Sequence, residues 1–369
     1  MRDLFKCKFF VFFFTVLINT MLTAEPADKV NSDMECTCEK THVVVAMPFK
    51  PNMPFDPHWY TPEYVDYIAS LLPSDKYEVT GYFVSLENIP VFLADMKTLT
   101  DQKKKICILN VCDGGEWDGY PGISVLKEWE KHPVHALATM TGADSEFIFH
   151  SDDKTKMQDH ITKANLKSLT QGLVSPDQIN DVDLEALLAS NHLDQAWPLF
   201  CKLNIGAGAL GISSSSICHN IPELKTQLQK VHHAFPKSDI LIQPYLAGKE
   251  YTILVLKDRV YAAVRRDFHN TYNLMEEANW MDPNNIDDEI IYHPATEEAK
   301  NLALKAIQAI PGKHHYTRVD LRDDGKGNIY VLDINDRPGF GTPSTVSCML
   351  EFSHLTEKQF LLDLVETAN

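Results

Sequence analysis

The stretch YTRVDLRDDGKGNIYVLDIN, residues 316 to 335, restricts the fold of this chain more than any other. Two runs rich in β-branched and aromatic residues flank Asp323-Asp324-Gly325-Lys326-Gly327-Asn328, which is turn chemistry, so an antiparallel hairpin is expected. Side chains alternate along a strand. Arg318 and Asp320 therefore share one face of the first strand, and Asp333 and Asn335 share one face of the second. Directly opposed residues of an antiparallel pair point the same way, so pairing Arg322 with Ile329, or Asp323 with Tyr330, collects all four on one face. Two carboxylates and an amide that turn oxygen towards one site suit a hard cation such as Mg2+. A fixed guanidinium beside them suits charge developing on a phosphoryl group or a tetrahedral intermediate. The polar, solvent-facing side of an ordinary hairpin explains the same residues equally well.

The chain ahead of the hairpin is built in two styles. From residue 41, the strand-like runs HVVVAM (42–47), YEVTGYFV (77–84) and KICILNV (105–111) alternate with helix-like stretches such as TPEYVDYIASLL. That alternation implies an N-terminal parallel α/β domain, whose ligands gather beyond the carboxyl ends of the strands. Residues 151 to 195 are helix-rich, and DDKTKMQDHITKANL opens on an Asp-rich N-cap. WPLFCKL, DILIQPYL, EYTILVL, RVYAAVRR and the hairpin strands follow with helices between them, which reads as an α+β region with antiparallel sheet.

Composition excludes some partners. With 34 Lys and Arg against 51 Asp and Glu, the net charge of −17 argues against nucleic acid or an anionic membrane surface. A small anionic substrate needs a locally basic pocket. Residues 1–24 carry a basic start (Arg2, Lys6, Lys8), an apolar run from Phe9 to Leu22 and a small residue at Ala24. This pattern predicts a cleaved secretory signal in preference to a signal anchor, and hence a protein of the secretory pathway or extracellular space. The run is too short and too interrupted for a stable membrane span. Cleavage removes one of eight cysteines, and the odd remainder cannot pair fully. Cys107, Cys112 and Cys201 are expected as buried thiols, while Cys36-x-Cys38 lacks the second half of a zinc site.

FCKLNIGAGALGISSSS supplies a second clue. Gly206, Gly208 and Gly211 match G-x-G-x-x-G, but Ile212 and four serines are a poor helix start, which counts against a dinucleotide site. A strand, glycine loop and second strand folding over nucleotide phosphates fits better, with Lys202 as the counter-charge. A protein kinase is disfavoured: RRDFHNTYN (265–273) mimics a catalytic loop only imperfectly, and no D-F-G follows. A Walker A loop is absent. DILIQPYLAGKEYTILVL reads as two strands about Ala247-Gly248; it is either an ordinary hairpin or a crossing at Gln243 to Leu246 that presents backbone to adenine, with Glu250 near ribose.

In their order, these motifs resemble the ATP-grasp superfamily, and most of all the D-alanine–D-alanine ligase type, from about residue 105 to 350. MTGADSEFIFHSDDKTKM is similar to its linker into the ATP-binding region, and VLDINDRPGFGTPS to its metal- and carboxylate-binding segment. The resemblance implies a substrate domain over 41–140 after a polar segment at 25–40, a central ATP-grasp subdomain over 141–245 and a catalytic subdomain over 246–369. It further implies that Lys154 and Lys202 hold ATP phosphates beneath a loop of Gly206, Gly208 and Gly211. Gln243 and Leu246 would meet adenine, and Glu250 ribose. Asp320, Asp333 and Asn335 would bind Mg2+, with Mn2+ as an alternative. Arg318 and the Gly339 backbone would face the transition state, and Ser344 the carboxylate of a second amino acid. Such enzymes convert a carboxylate to an acyl phosphate, which an amine attacks; small amino-acid-like substrates are implied, and a homodimer is compatible.

The departures fall on substrate recognition. The acid-bearing glycine loop usual after the first strand is replaced by PFKPNMPFDPHW, and the usual histidine after the third strand is Asp113, in a stretch whose Glu116 and Asp118 are expected to face the substrate. The serine usual in the glycine loop corresponds to Gly208. The secretory signal leaves a second reading open: a secreted, non-catalytic protein that keeps the fold and binds nucleotide or a partner. A lumen supplied with ATP and onward targeting to another compartment are the other ways to reconcile the signal with an ATP-consuming enzyme.

Overall fold

The computed structural model describes residues 40–51, 60–114, 119–206, 210–268, 290–341 and 344–368. The expected leader, nearly all of the polar segment at 25–40, Cys36 and Cys38, and most of RRDFHNTYN lie outside these residues.

The first layer is parallel. Strand β1 (Thr41–Pro48), helix α1 (Pro62–Leu71), β2 (Tyr77–Val84), α2 (Ile89–Asp101), β3 (Lys105–Asn110), α3 (Gly122–Lys131) and β4 (Thr139–Met140) form a sheet of order β2-β1-β3-β4. Its central strand is apolar on both faces because both are covered. Val44 and Ala46 pack with Phe92 and Trp129 of α2 and α3, while Val43, Val45 and Met47 pack with Ile68 of α1.

Two antiparallel sheets follow, as the sequence predicts. After α4 (Ser145–Ser151) and α5 (Lys154–Lys163) come β5 (Gly172–Val174), α6 (Leu184–Ser190), β6 (Leu199–Leu203), β7 (Ile217–Cys218), α7 (Ile221–Ala234) and β8 (Ile240–Pro244), giving sheet order β5-β8-β6-β7. The last sheet contains β9 (Glu250–Leu256), β10 (Arg259–Phe268), β11 (Ile290–Pro294), then α8 (Glu297–Ala309), β12 (Tyr316–Asp323) and β13 (Ile329–Asn335), in the order β11-β10-β9-β12-β13. Helices α9 (Thr345–Phe352) and α10 (Glu357–Glu366) come last, and Phe360, Leu361 and Leu364 of α10 join the core beneath β1. Cys107, Cys112 and Cys201 are buried thiols, as expected, and so is Cys218. Among the described residues no helix is long and apolar enough to cross a membrane.

Strands β8 and β9 are not a hairpin, because they belong to different sheets. The chain crosses between them at Ala247-Gly248 and is fastened there by Asp323. Gly248 N donates to Asp323 O at 3.0 Å, Asp323 N donates to Lys249 O at 3.0 Å, and Lys249 N donates to Asp323 Oδ2 at 3.0 Å. A Cβ on Gly248 would stand 1.6 Å from Asp323 Oδ1, so only glycine fits. Gly248→Ala is expected to cost about 3 kcal/mol through forced displacement. Gly325→Ala, with open space around it but a φ of +76°, should cost about 1 kcal/mol. Urea unfolding of the two variants checks the order.

Candidate active site

The site is assembled on the hairpin. Near the turn Asp323 pairs with Ile329 and Arg322 with Tyr330, a register that matches neither expected alternative. Carried to the end of the ladder, it would place Asp333 and Asn335 on the face of Val319 and Leu321, which is core. The register shifts instead between Asp320 and Leu321, leaving Leu332 as an extra, unpaired residue. Beyond this bulge Asp320 lies opposite Asp333 and Arg318 opposite Asn335, so the four groups share a face after all.

Each is already gripped. Arg318 donates to Asp320 from Nε (3.2 and 3.1 Å) and Nη2 (2.8 Å). Burial raises the Asp320 pKa, but Arg318, then Arg266, outweigh it and hold the carboxyl below its ordinary value. Asn335 Oδ1 accepts from Arg337 N at 3.0 Å. Lys154 Nζ lies 3.4 Å from Asp333 Oδ1 and donates to Gly206 O at 3.1 Å.

Lys154 owes its position to the start of α5. Asp153 caps that helix, accepting from Thr155 N and Lys156 N at 3.1 Å each, and Asn204 at the end of β6 clamps the same turn through Thr155 Oγ1 (2.8 Å) and Asp153 Oδ1 (3.0 Å). Lys202, on β6, is buried too, and its Nζ donates to the bulge carbonyl of Leu332 at 3.4 Å. Burial, then the neighbouring Lys154, depress its pKa to about 7 against the pull of Asp333. Two buried lysines act on one carboxylate, Lys154 in an ion pair and Lys202 through space, and Lys202 is only partly protonated near neutral pH. In a protein of net charge −17, this pair is a locally basic feature that an anion can charge fully.

The remaining predicted residues lie on several other elements. Gly206 leads out of β6, Gly211 takes a φ of +71°, and Gly208 lies outside the described residues. The chain returns through a short 3-10 turn at Ser214–Ser216 into β7, antiparallel to β6, so no helix opens on the glycines as a dinucleotide fold requires. Gln243 and Leu246 are buried at the crossing between sheets, where Arg322 lies over the Tyr245 ring at 5.6 Å. Glu250 is ion-paired with Arg266, its register partner on β10. Gly339 lies in the turn after β13, and Ser344 is the buried N-cap of α9, accepting from Ser347 N at 3.1 Å. Glu116 and Asp118 fall outside the described residues.

Sequence reasoning missed two groups. Arg266 was hidden because its role depends on facing Glu250 across the sheet. Asp336 and Arg337, both buried, stand between the predicted metal segment and Gly339, with Asp113 and Asp152 acting on the guanidinium through space. Burial, then Asp336, push the Asp152 carboxyl up to about 8.

A family model described as D-ala D-ala ligase C-terminus matches residues 177–366, just over half of the chain. Among solved structures, the D-alanine–D-alanine ligase of Bacillus anthracis complexed with ATP is 16% identical over 89% of this chain and 97% of its own, with a TM-score of 0.64. VanG D-Ala:D-Ser ligase of Enterococcus faecalis is 13% identical over 89% and 99%, with a TM-score of 0.59. The D-alanine–D-alanine ligase of Coxiella burnetii is 16% identical over 89% and 94%, with a TM-score of 0.58. At these identities the structures establish a shared fold.

Lys202 generates a signed prediction. The unfolded chain keeps this proton up to the ordinary value of 10.5, whereas the folded chain releases it near 7. The contribution of Lys202 to stability therefore grows as pH rises across that window, and Lys202→Met should flatten the slope. A bound triphosphate should restore the charge, so calorimetry at pH 8 in buffers of different ionisation enthalpy should show uptake of up to about one proton, lost in Lys202→Met.

Proposed function

Because the chain belongs to the family of the D-ala D-ala ligase C-terminus, a group of ATP-dependent ligases that form C–N bonds, we propose that it activates a small carboxylic acid as an acyl phosphate and joins it to an amine, giving a dipeptide-like product. A carboxylate oxygen of the first substrate attacks the γ-phosphorus of ATP, and ADP departs. The amine of the second substrate then attacks the acyl carbon, loses a proton and expels phosphate. The observation that carries this reading is the convergence of buried Lys154 and Lys202 on Asp333 of the hairpin.

The residues divide the work. Lys154 and Lys202 take the phosphates, Gly206 and Gly211 bracket the loop above them, and Gln243, Leu246 and Glu250 line the base and ribose side. Arg266 sets the orientation of the Glu250 carboxylate. Arg318 and the Gly339 backbone N–H face the oxygen on which charge develops, where fixed donors lower the barrier most. Ser344 contributes its hydroxyl to the second substrate's carboxylate while it caps α9.

Asp320, Asp333 and Asn335 fit a hard divalent cation, Mg2+ or Mn2+, because all three present oxygen on one face. Among the described residues no three His, Cys, Asp or Glu side chains form a metal site by themselves, so the amide and the nucleotide phosphates complete the donor set. When bound, such an ion supplies positive charge to the phosphoryl oxygens.

The test is ADP release by the purified protein with ATP and Mg2+ across pairs of D- and L-amino acids and small amines. One pair should stimulate release, and Asp333→Ala should reduce it by about 100-fold or more while circular dichroism stays unchanged. An Asp333→Ala protein with wild-type turnover and metal dependence would remove the hairpin from the chemistry.

A further inference from the structure

The reaction as described leaves one buried charged cluster without a task. Asp336 and Arg337 are 2% and 3% exposed. Arg337 Nε lies 3.3 Å from Asp336 Oδ2, yet among the described residues that oxygen, Nε and Nη1 have no hydrogen-bond partner. Tyr316 Oη, at 0% exposure, also lacks one, and it lies in the field of Arg337, Asp336 and Asp113. Asp152 and Asp113 also act on the guanidinium through space. So completely buried a guanidinium normally satisfies its donors, and those of Arg337 await a group that none of the described residues provides.

The cluster adjoins the reaction centre. Arg337 stands between Asn335 and Gly339 in the chain, and Asp152 shortly precedes Lys154. Asp336 senses Asp333, and Asp152 senses Lys154. Asp113 is at the carboxyl end of β3, where a parallel sheet presents ligands. A substrate whose carboxylate meets the Gly339 backbone beside the phosphates would extend its other end toward this cluster.

The chemistry of the cluster describes that end. Three aspartates act on one guanidinium, and Asp152, its carboxyl pushed up to about 8, keeps its proton until a positive group such as an ammonium draws it off. The donors of Arg337 and Tyr316 require an acceptor oxygen. A side-chain carboxylate would add a further anion beside aspartates so crowded that Asp152 already holds its proton, whereas a hydroxyl or amide adds an acceptor without charge. Alanine's methyl would leave the donors unmet, and a site built to bond an oxygen rejects an analogue that lacks it far more strongly than an apolar pocket rejects a size change.

Resting on the ligase reading, we propose that Arg337 and Tyr316, with Asp113 and Asp152, select the activated substrate as an amino acid whose ammonium faces the aspartates and whose side chain bears a hydroxyl or amide oxygen. Calorimetric binding of serine, asparagine, alanine and aspartate, each in both configurations, to the full protein loaded with Mg2+ and a non-hydrolysable ATP analogue tests it. Serine or asparagine should bind on the order of 100-fold more tightly than alanine or aspartate. The double variant Asp336→Leu/Arg337→Met removes the ion pair as a unit and should bring serine, asparagine and alanine within about threefold of one another. The wild-type series decides by itself if that variant fails to fold. Alanine bound as well as serine and asparagine, or a preference unchanged in the folded double variant, overturns the assignment. ADP release driven best by alanine overturns it while upholding the ligase. Selective binding of serine or asparagine without any ADP release upholds the pocket and removes the ligase reading.

Discussion

The active face rests on a single extra residue. Leu332 bulges from β13, and without it Asp333 and Asn335 would turn into the apolar layer under the sheet. The bulge also interrupts the ladder locally, and the carbonyls there find partners elsewhere. Val331 O accepts from Gln158 Nε2 of α5 at 2.7 Å, and Leu332 O accepts from Lys202 Nζ of β6. One irregularity thus orients Asp333 and Asn335 and docks the two elements that bring the lysines.

Charge placement follows from that docking. Burying ions is costly unless each finds a counter-charge, and here most are shared between sites. Asp333 answers Lys154, Arg318 answers Asp320, and Arg266 pairs with Glu250 while also stabilising Asp320. Arg266 therefore links Glu250 to Asp320 across the sheet. Lys202 is left with the weakest compensation, which is why its proton is loosely held until an anion arrives.

Much of this was legible in local pattern. The alternation of Arg318 and Asp320, the turn residues after them, the Asp-rich start of α5 and the glycine loop between two strands all depend on short-range rules, and the structure brings their residues together. What escaped depends on pairing at a distance. Leu332 looks like any apolar strand residue, and nothing local announces a register change. The β8–β9 connection reads equally as a hairpin or a crossing, because strand periodicity does not record which sheet a strand joins, and only the structure selects the crossing. Strand β5 was missed because three residues at a sheet edge carry too little pattern. Asp336 and Arg337 looked like loop polarity, and only burial distinguishes them.

The packing of α10 bears on how the protein is made. Its apolar side lies under β1, and Val365 O lies 3.9 Å from Cys107 Sγ of β3. During synthesis, the first sheet emerges from the ribosome long before the helix that covers one of its faces. The parallel domain, though translated early, is completed only when the last of the described helices has been released, and until then its central strands offer an open apolar surface to whatever else is present.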